Sequence, residues 1–501
     1  MLKPASLFTD GAVLCRGKEI RIFGDADPGA SVRVVLEDRA GVLLAETGCR
    51  SSGGRFLAVL PAQRAQTGCR LVISAGTEQV SADHVAIGDV FLAGGQSNME
   101  LELRNAAEGP ETIREHDDPL LRFFNVPKIA VPGPDQRKAN AEARWHAVSP
   151  GQGGENSAVA YFFAAKLRER QPGVPVGIVG CYWGGTSVTC WMEEETLRAD
   201  PEGIRYLDRY AGLAAGKSME TWLEEEKQFQ ETFGFWSSKV ERYKQQHPGA
   251  SWAETEAACG AAPWNPPAGP GSPYRPAGLA VTMVREILPV SLTGVLFYQG
   301  EEDAGQTDRY DVLLTLLIRS WREAFRDPDL PFLFVQLPMW IERGAPDSFR
   351  WAMLRKAQAA VRDTVPHTGM VCLLDQGEYG NIHPVVKRPV GERLAELAGL
   401  MLCGKGEVSP RAVALHAENG SLAVSLTVPV RVAGGGEAAL LEIADETGNY
   451  VPAEAEIRGN VLLLSSPQVP HPVHARYAWT DYSDRVNLFG ENGLPLEPFD
   501  L

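Results

Sequence analysis

The chain has 501 residues, 44% of them hydrophobic, enough for roughly two to four domains with sizeable cores and little disorder outside local loops. A formal net charge of −16 without any long Lys/Arg run argues against nucleic acid or an anionic membrane surface as partner, and suits a small neutral or modestly charged ligand. No apolar run approaches the roughly 18 residues of a membrane span, and Met1-Leu2-Lys3-Pro4 leads into Phe8 to Gly11 without a signal-peptide core. A cytoplasmic setting is therefore expected, and the eight scattered cysteines read as reduced, mostly buried thiols.

Residues 1–85 alternate β-branched runs (Glu19–Gly24, Ser31–Leu36, Phe56–Leu60) with turn signals and predict an N-terminal antiparallel β-domain. From residue 86 the pattern changes. Apolar strands at Asp89–Ala93, Val174–Gly180, Thr293–Tyr298, Phe332–Gln336 and Met370–Leu374 alternate with helical spacing at Ser157–Leu167, Tyr310–Phe325, Ala352–Val361 and Val385–Leu402. That alternation predicts an α/β domain over 86–405, a doubly wound, mostly parallel sheet with helices on both faces. An insertion is expected at about 194–278, with a helix over Met219–Lys244 and the Pro/Gly-rich run Ala262–Gly271; it reads as a cap over a site or as a solvated helix with a long ordered loop. Strands at Leu422–Leu426, Ala439–Ile443 and Val461–Leu464 predict a C-terminal β-domain over 406–501.

The polar clusters fall where the parallel strands end, the edge at which such sheets bind ligands. Gly94-Gly95-Gln96-Ser97-Asn98-Met99 follows the first strand, so Ser97 is either a nucleophile on a tight glycine turn or a cap of the next helix. Trp183-Gly184-Gly185-Thr186 follows the second; its glycines either aim a backbone N–H at an oxyanion or serve turn geometry alone. Tyr298-Gln299-Gly300-Glu301-Glu302-Asp303 sets an amide and three carboxylates after the third strand, where Glu302 reads as a helix cap. The last strand leads through Asp375, Gly380 and Asn381 to His383, a structural histidine or a triad base late in the chain.

Taken together, Gly95-Gln96-Ser97-Asn98-Met99, Trp183-Gly184-Gly185-Thr186, Tyr298-Gln299-Gly300-Glu301 and Ile382-His383-Pro384 with Lys387, Gly391 and Arg393 resemble the sialate O-acetylesterase family of SGNH hydrolases. Asp10–Leu14, Ser157–Phe163, Arg275–Leu279 and Tyr477–Trp479 extend the resemblance over nearly the whole chain. It implies an SGNH-type sheet and hydrolysis of an O-acetyl ester on a sugar or oligosaccharide through an acetyl-enzyme, with no metal or organic cofactor. Ser97 would be the nucleophile and His383 the base, with an oxyanion hole from the Ser97 N–H, the Gly185 N–H and the Gln299 side-chain amide. Gln96, Asn98, Trp183, Gly184, Asp303, Asp375 and Asn381 would contact substrate or support the site.

The sequence departs from the family at the third triad member. An aspartate is usual three residues before the histidine, where this chain has Gly380, and Asn381 replaces the aspartate of Asp-Ile-His-Pro. An asparagine can orient an imidazole but cannot neutralise an imidazolium. Related carbohydrate esterases suggest Glu301 as the substitute partner of His383; Asp303 is the next candidate, and a backbone carbonyl the remaining alternative. The other readings are a sugar-binding pseudoenzyme, and a glycosidase with Glu301 and Asp303 about 5–10 Å apart across a sugar subsite.

Overall fold

The computed structural model describes residues 1–501 except Pro248, which falls inside the expected insertion. Its centre is a parallel sheet of six strands: β1 (Glu78–Gly95), β2 (Asp118–Asn125), β3 (Val176–Tyr182), β4 (Gly294–Tyr298), β5 (Phe332–Val335) and β6 (Thr368–Val371). Their spatial order is β2-β3-β1-β4-β5-β6, every neighbouring pair parallel. All residues of β3 and β4 are buried, so these segments read as unbroken apolar runs. Between β3 and β4 the chain crosses to the opposite side of β1. That reversal opens a crevice at the carboxyl ends of the strands, with Gly95 in register with both Tyr182 and Tyr298.

Eight helices matter to the site: α1 (Ser97–Glu100), α2 (Ala158–Arg170), α3 (Pro201–Leu213), α4 (Met219–Gln246), α5 (Trp252–Cys259), α6 (Tyr310–Ala324), α7 (Arg350–Thr364) and α8 (Arg388–Cys403). Phe91 packs edge-on against Phe163 of α2, whereas Gly94 lies under Trp321 of α6. Residues 91 and 94 point to opposite faces of a strand, so helices cover both sides of the sheet. Among the described residues no helix is long and apolar enough to cross a membrane. The eight cysteines are free thiols, six of them buried.

The N-terminal strands are antiparallel as expected, Ile20–Ala26 with Arg55–Leu60 and Ser31–Glu37 with both Leu43–Arg50 and Gln66–Ala75. They do not stop at residue 85. The first half of β1 pairs with Gln66–Ala75 and its second half lies in the parallel sheet, so one 18-residue strand belongs to both. At the other end, strands such as Ser421–Leu426, Leu441–Ala444 and Val461–Ser465 build further antiparallel sheets, whose core includes Met339, Cys372 and Leu374 from beside the parallel sheet. Asp481 joins the two regions by accepting bonds from Ser348 and Trp351 at the start of α7. Inside the insertion, the Pro/Gly-rich run is pinned to helices: Tyr210 donates to Gly269 O at 3.0 Å and Trp222 Nε1 to Pro267 O at 3.2 Å.

Candidate active site

At the end of β1 a Cβ on Gly95 would fall 2.1 Å from Tyr298 O, and its φ is +134°, so only glycine lets β1 turn against β4 here. The turn delivers Ser97 to the first position of α1. Gln96 is the residue before the helix and makes no side-chain cap bond, which disposes of the reading of Ser97 as a cap. Ser97 Oγ instead lies 2.7 Å from His383 Nε2, across 286 positions of sequence. His383 borders the open cleft, yet the protein crowded around it and the charge of Lys387 lower its pKa, so the imidazole is neutral at neutral pH and can accept a proton.

Among the described residues, the Ser97 and Gly185 N–H groups donate to no protein acceptor. Gly185 has φ +72° and follows β3, the strand beside β1. The Gly184 N–H is committed, donating to Glu100 Oε2 at 2.5 Å, and Glu100 also pairs with Lys128. Two free N–H groups beside a hydroxyl that faces a neutral imidazole are donors of the kind a tetrahedral oxyanion requires.

Gln299 does not take the expected place in that hole. Its amide is 1% exposed and faces inward, Nε2 donating to Asp303 Oδ2 at 2.6 Å and lying 3.1 Å from both Gln96 Oε1 and Thr186 O, while Oε1 accepts from Tyr310 at 2.6 Å. A buried amide with every polar atom satisfied has no N–H left to offer substrate. Asp303 is likewise no partner for His383. Its carboxylate, fully buried, accepts from Ser187 Oγ, Val188 N, Tyr206 OH and Gln299 Nε2 at 2.6–2.9 Å, and burial raises its pKa. The same occupation removes it as a glycosidase carboxylate.

Glu301 is also displaced from the role expected of it. Its Oε1 accepts from Asn98 Nδ2 at 2.6 Å, and among the described residues its Oε2 has no partner and neither oxygen bonds His383. Among the described residues no group bonds His383 Nδ1; the histidine is set through its backbone. Asn98 Nδ2 donates to Ile382 O at 2.9 Å, and Asn381 Oδ1 accepts the His383 N–H at 3.0 Å while its Nδ2 donates to Glu378 at 2.7 Å. Lys387 completes the cluster, donating to Asn98 Oδ1 at 2.5 Å. Burial pushes its pKa down to about 7 against the opposing charges of Glu301 and Glu378, and burial raises that of Glu301. A short polar side chain next to Ser97 thus ties a buried carboxylate, a buried ammonium and the histidine loop together.

The remaining expected residues hold this frame. Gln96 Oε1 accepts from Gly300 N and Glu302 N at 3.3 and 3.2 Å, fixing the β4 turn. Asp375 takes a two-pronged pair from Arg393 at 2.7 and 2.6 Å, tying the histidine loop to α8. Trp183 is half-buried with Lys128 over its ring at 5.3 Å, and the neighbouring Tyr182 is core and donates to Asn125 Oδ1 at 3.2 Å. Sequence reasoning did not single out Glu100, Tyr206, Tyr310 or Trp264. The tyrosines and Glu100 carry no pattern that marks them; Trp264 did carry a signal, a large aromatic inside an irregular Pro/Gly run.

Residues 258–398 match the family described as carbohydrate esterase, sialic acid-specific acetylesterase. The sialate O-acetylesterase of Mus musculus is 23% identical over 523 residues, spanning 95% of this chain and 90% of that protein. Its Homo sapiens counterpart is 22% identical over 521 residues, spanning 95% and 88%. The crystal structure of a carbohydrate acetylesterase from Xanthomonas citri superposes with a TM-score of 0.77 at 28% identity, covering 100% of this chain and 99% of that one.

Proposed function

We propose, from the premise that this chain is a carbohydrate O-acetylesterase related to the sialate O-acetylesterases, that it cleaves its ester through an acetyl-enzyme on Ser97. The observation that carries this reading is the 2.7 Å approach of Ser97 Oγ to His383 Nε2 beside two unbonded backbone N–H groups. His383 Nε2 takes the hydroxyl proton as Ser97 Oγ attacks the acetyl carbonyl carbon, and the Ser97 and Gly185 N–H groups receive the oxyanion. Collapse of the tetrahedral species breaks the bond to the sugar oxygen, which leaves with the proton from His383. A water then attacks the acetyl-enzyme, again giving its proton to His383, and acetate departs as Ser97 regains a hydrogen.

The layout that goes with this chemistry is an SGNH-type catalytic unit over 86–405, with β-rich flanks over 1–85 and 406–501. Support comes from the strand order around β1 and from the three loops that converge after β1, β3 and β6. The substrate is an O-acetylated sugar, either a sialic acid or an acetylated oligosaccharide.

Acetate release measured on O-acetyl sialic acids, acetylated xylo-oligosaccharides and simple sugar acetates tests both parts. At least one class should be hydrolysed, and Ser97→Ala should lower that rate by about 10³-fold or more while leaving the far-UV spectrum unchanged. Equal rates in the two proteins would remove Ser97 from the chemistry.

A further inference from the structure

Trp264 comes from the insertion, far in sequence from every residue of the catalytic cluster, yet its indole rests on the oxyanion turn. A Cβ built on Gly185 would lie 2.3 Å from Trp264 Cζ2, so the six-membered edge of the indole covers that glycine directly. The residue nevertheless remains 45% exposed. Isolated exposed aromatics are ordinary and call for no explanation. This one is held in place: Phe229 and Phe233 of α4 and the half-buried Tyr274 meet it edge-to-face at centroid distances of 6.0, 5.8 and 5.7 Å. The helix carrying those phenylalanines is itself fastened, through Trp222 and Trp236, to the chain on either side of Trp264.

The insertion is also locked to the catalytic frame. Tyr206 of α3 donates to Asp303, the carboxylate that holds Gln299, at 2.8 Å. The opposite wall is reached as well, Glu256 of α5 pairing at 3.7 Å with Arg343, whose guanidinium lies over Tyr379 on the histidine loop. A rigid aromatic surface therefore stands next to the point where an ester carbonyl must sit, part of it open to solvent.

We propose that Trp264 is the platform on which the pyranose ring bearing the acetyl group stacks. The proposal rests on the reading of Ser97 as the esterase nucleophile. An acetyl group is too small to distinguish one ester from another, so recognition has to come from the sugar ring next to it. The C–H face of a pyranose is apolar and its rim is hydroxylated, which suits an indole packed partly against protein and partly open to solvent. Placed on Trp264, the ring presents its ester to Ser97 with the carbonyl oxygen toward Gly185. The insertion is on this account a specificity element, and Trp264 a binding residue rather than a participant in proton transfer.

The test compares a pyranose ester with one that has no ring. Acetate release is followed for peracetylated methyl β-xylopyranoside and for ethyl acetate with the wild-type protein, Trp264→Ala and Trp264→Phe. Trp264→Ala should reduce kcat/KM for the xylopyranoside about tenfold more than for ethyl acetate, chiefly through KM, and Trp264→Phe should recover most of that difference. Equal losses on the two esters would mean that Trp264 only props the Gly185 turn, and unchanged kinetics on both would mean that substrate never meets it; either overturns the proposal. Because Trp264→Phe keeps a ring over the turn, the comparison survives if the alanine variant misfolds. Ser97→Ala assayed alongside separates the two readings, since acetate release that persists in it removes the nucleophile and not the platform.

Discussion

Asn98 carries more of the site than its neighbour in sequence would suggest, and replacing it with alanine is the sharpest test of how His383 is held. The side chain makes three bonds, to the Glu301 carboxylate at 2.6 Å, to Ile382 O at 2.9 Å and from the Lys387 ammonium at 2.5 Å, all within a buried cluster. Bonds to charged groups contribute about 1.5–3 kcal/mol each, so the two ionic partners alone set an upper range of about 3–6 kcal/mol. In Asn98→Ala the ammonium and the carboxylate can close on one another across the space left by the amide, which recovers part of that and leaves a loss near 3 kcal/mol. For a chain of this size that corresponds to a fall in melting temperature of roughly 3–6 °C. The released Ile382 carbonyl lets the histidine loop drift, and a displacement of this kind costs about 10²-fold in turnover. Thermal melting by circular dichroism and kcat from acetate release measure the two effects separately. Turnover within threefold of wild type would refute the claim that the histidine is oriented through Ile382, whatever happens to the melting temperature.

Two further outcomes follow from the same cluster. The His383 pKa is lowered from 6.5 by crowding and by Lys387, and the base works only when neutral, so activity is lost as pH falls through the folded value; the acid limb of kcat/KM should have its midpoint below 6.5, and a midpoint at or above 6.5 would contradict the assignment. Glu301→Gln keeps an acceptor for Asn98 and removes a countercharge of Lys387, whose burial then drives it further toward the neutral amine; kcat should fall by less than about tenfold, whereas a loss matching that of Ser97→Ala would return Glu301 to the proton relay.

The parallel strands were legible because burial on both faces leaves an unbroken apolar run, as in Val176–Tyr182, and the loops that follow them were legible as glycine and polar clusters. The pairing of Ser97 with His383 followed from the motifs. The partners of Gln299 and Asp303 did not, because Gln-Gly-Glu at a strand end fixes where an amide stands and not which way it points. That direction is set by Tyr310 and by Tyr206, the latter 97 positions away in the insertion. Asp118–Asn125 escaped notice as a strand since its proline and polar residues break the apolar pattern expected of a buried one. The helix Pro201–Leu213 was signalled by Asp200 before Pro201, a good helix start, within a stretch otherwise read as loop.

The strand that ends at Gly95 runs for 18 residues, bending at His84, whose φ is +56°, and takes part in antiparallel pairing along its first half and parallel pairing along its second. Such a shared strand makes the amino-terminal region inseparable from the turn that carries Ser97. The residues before Glu78 supply the hydrogen-bonding neighbour of its outer half, so trimming them would bare a long strand edge and loosen the member from whose tip Ser97 hangs. Shuffling of catalytic and accessory modules, easy where a flexible linker joins them, is closed to this architecture at its amino-terminal end: the front of the protein has to be inherited, or engineered, together with its serine.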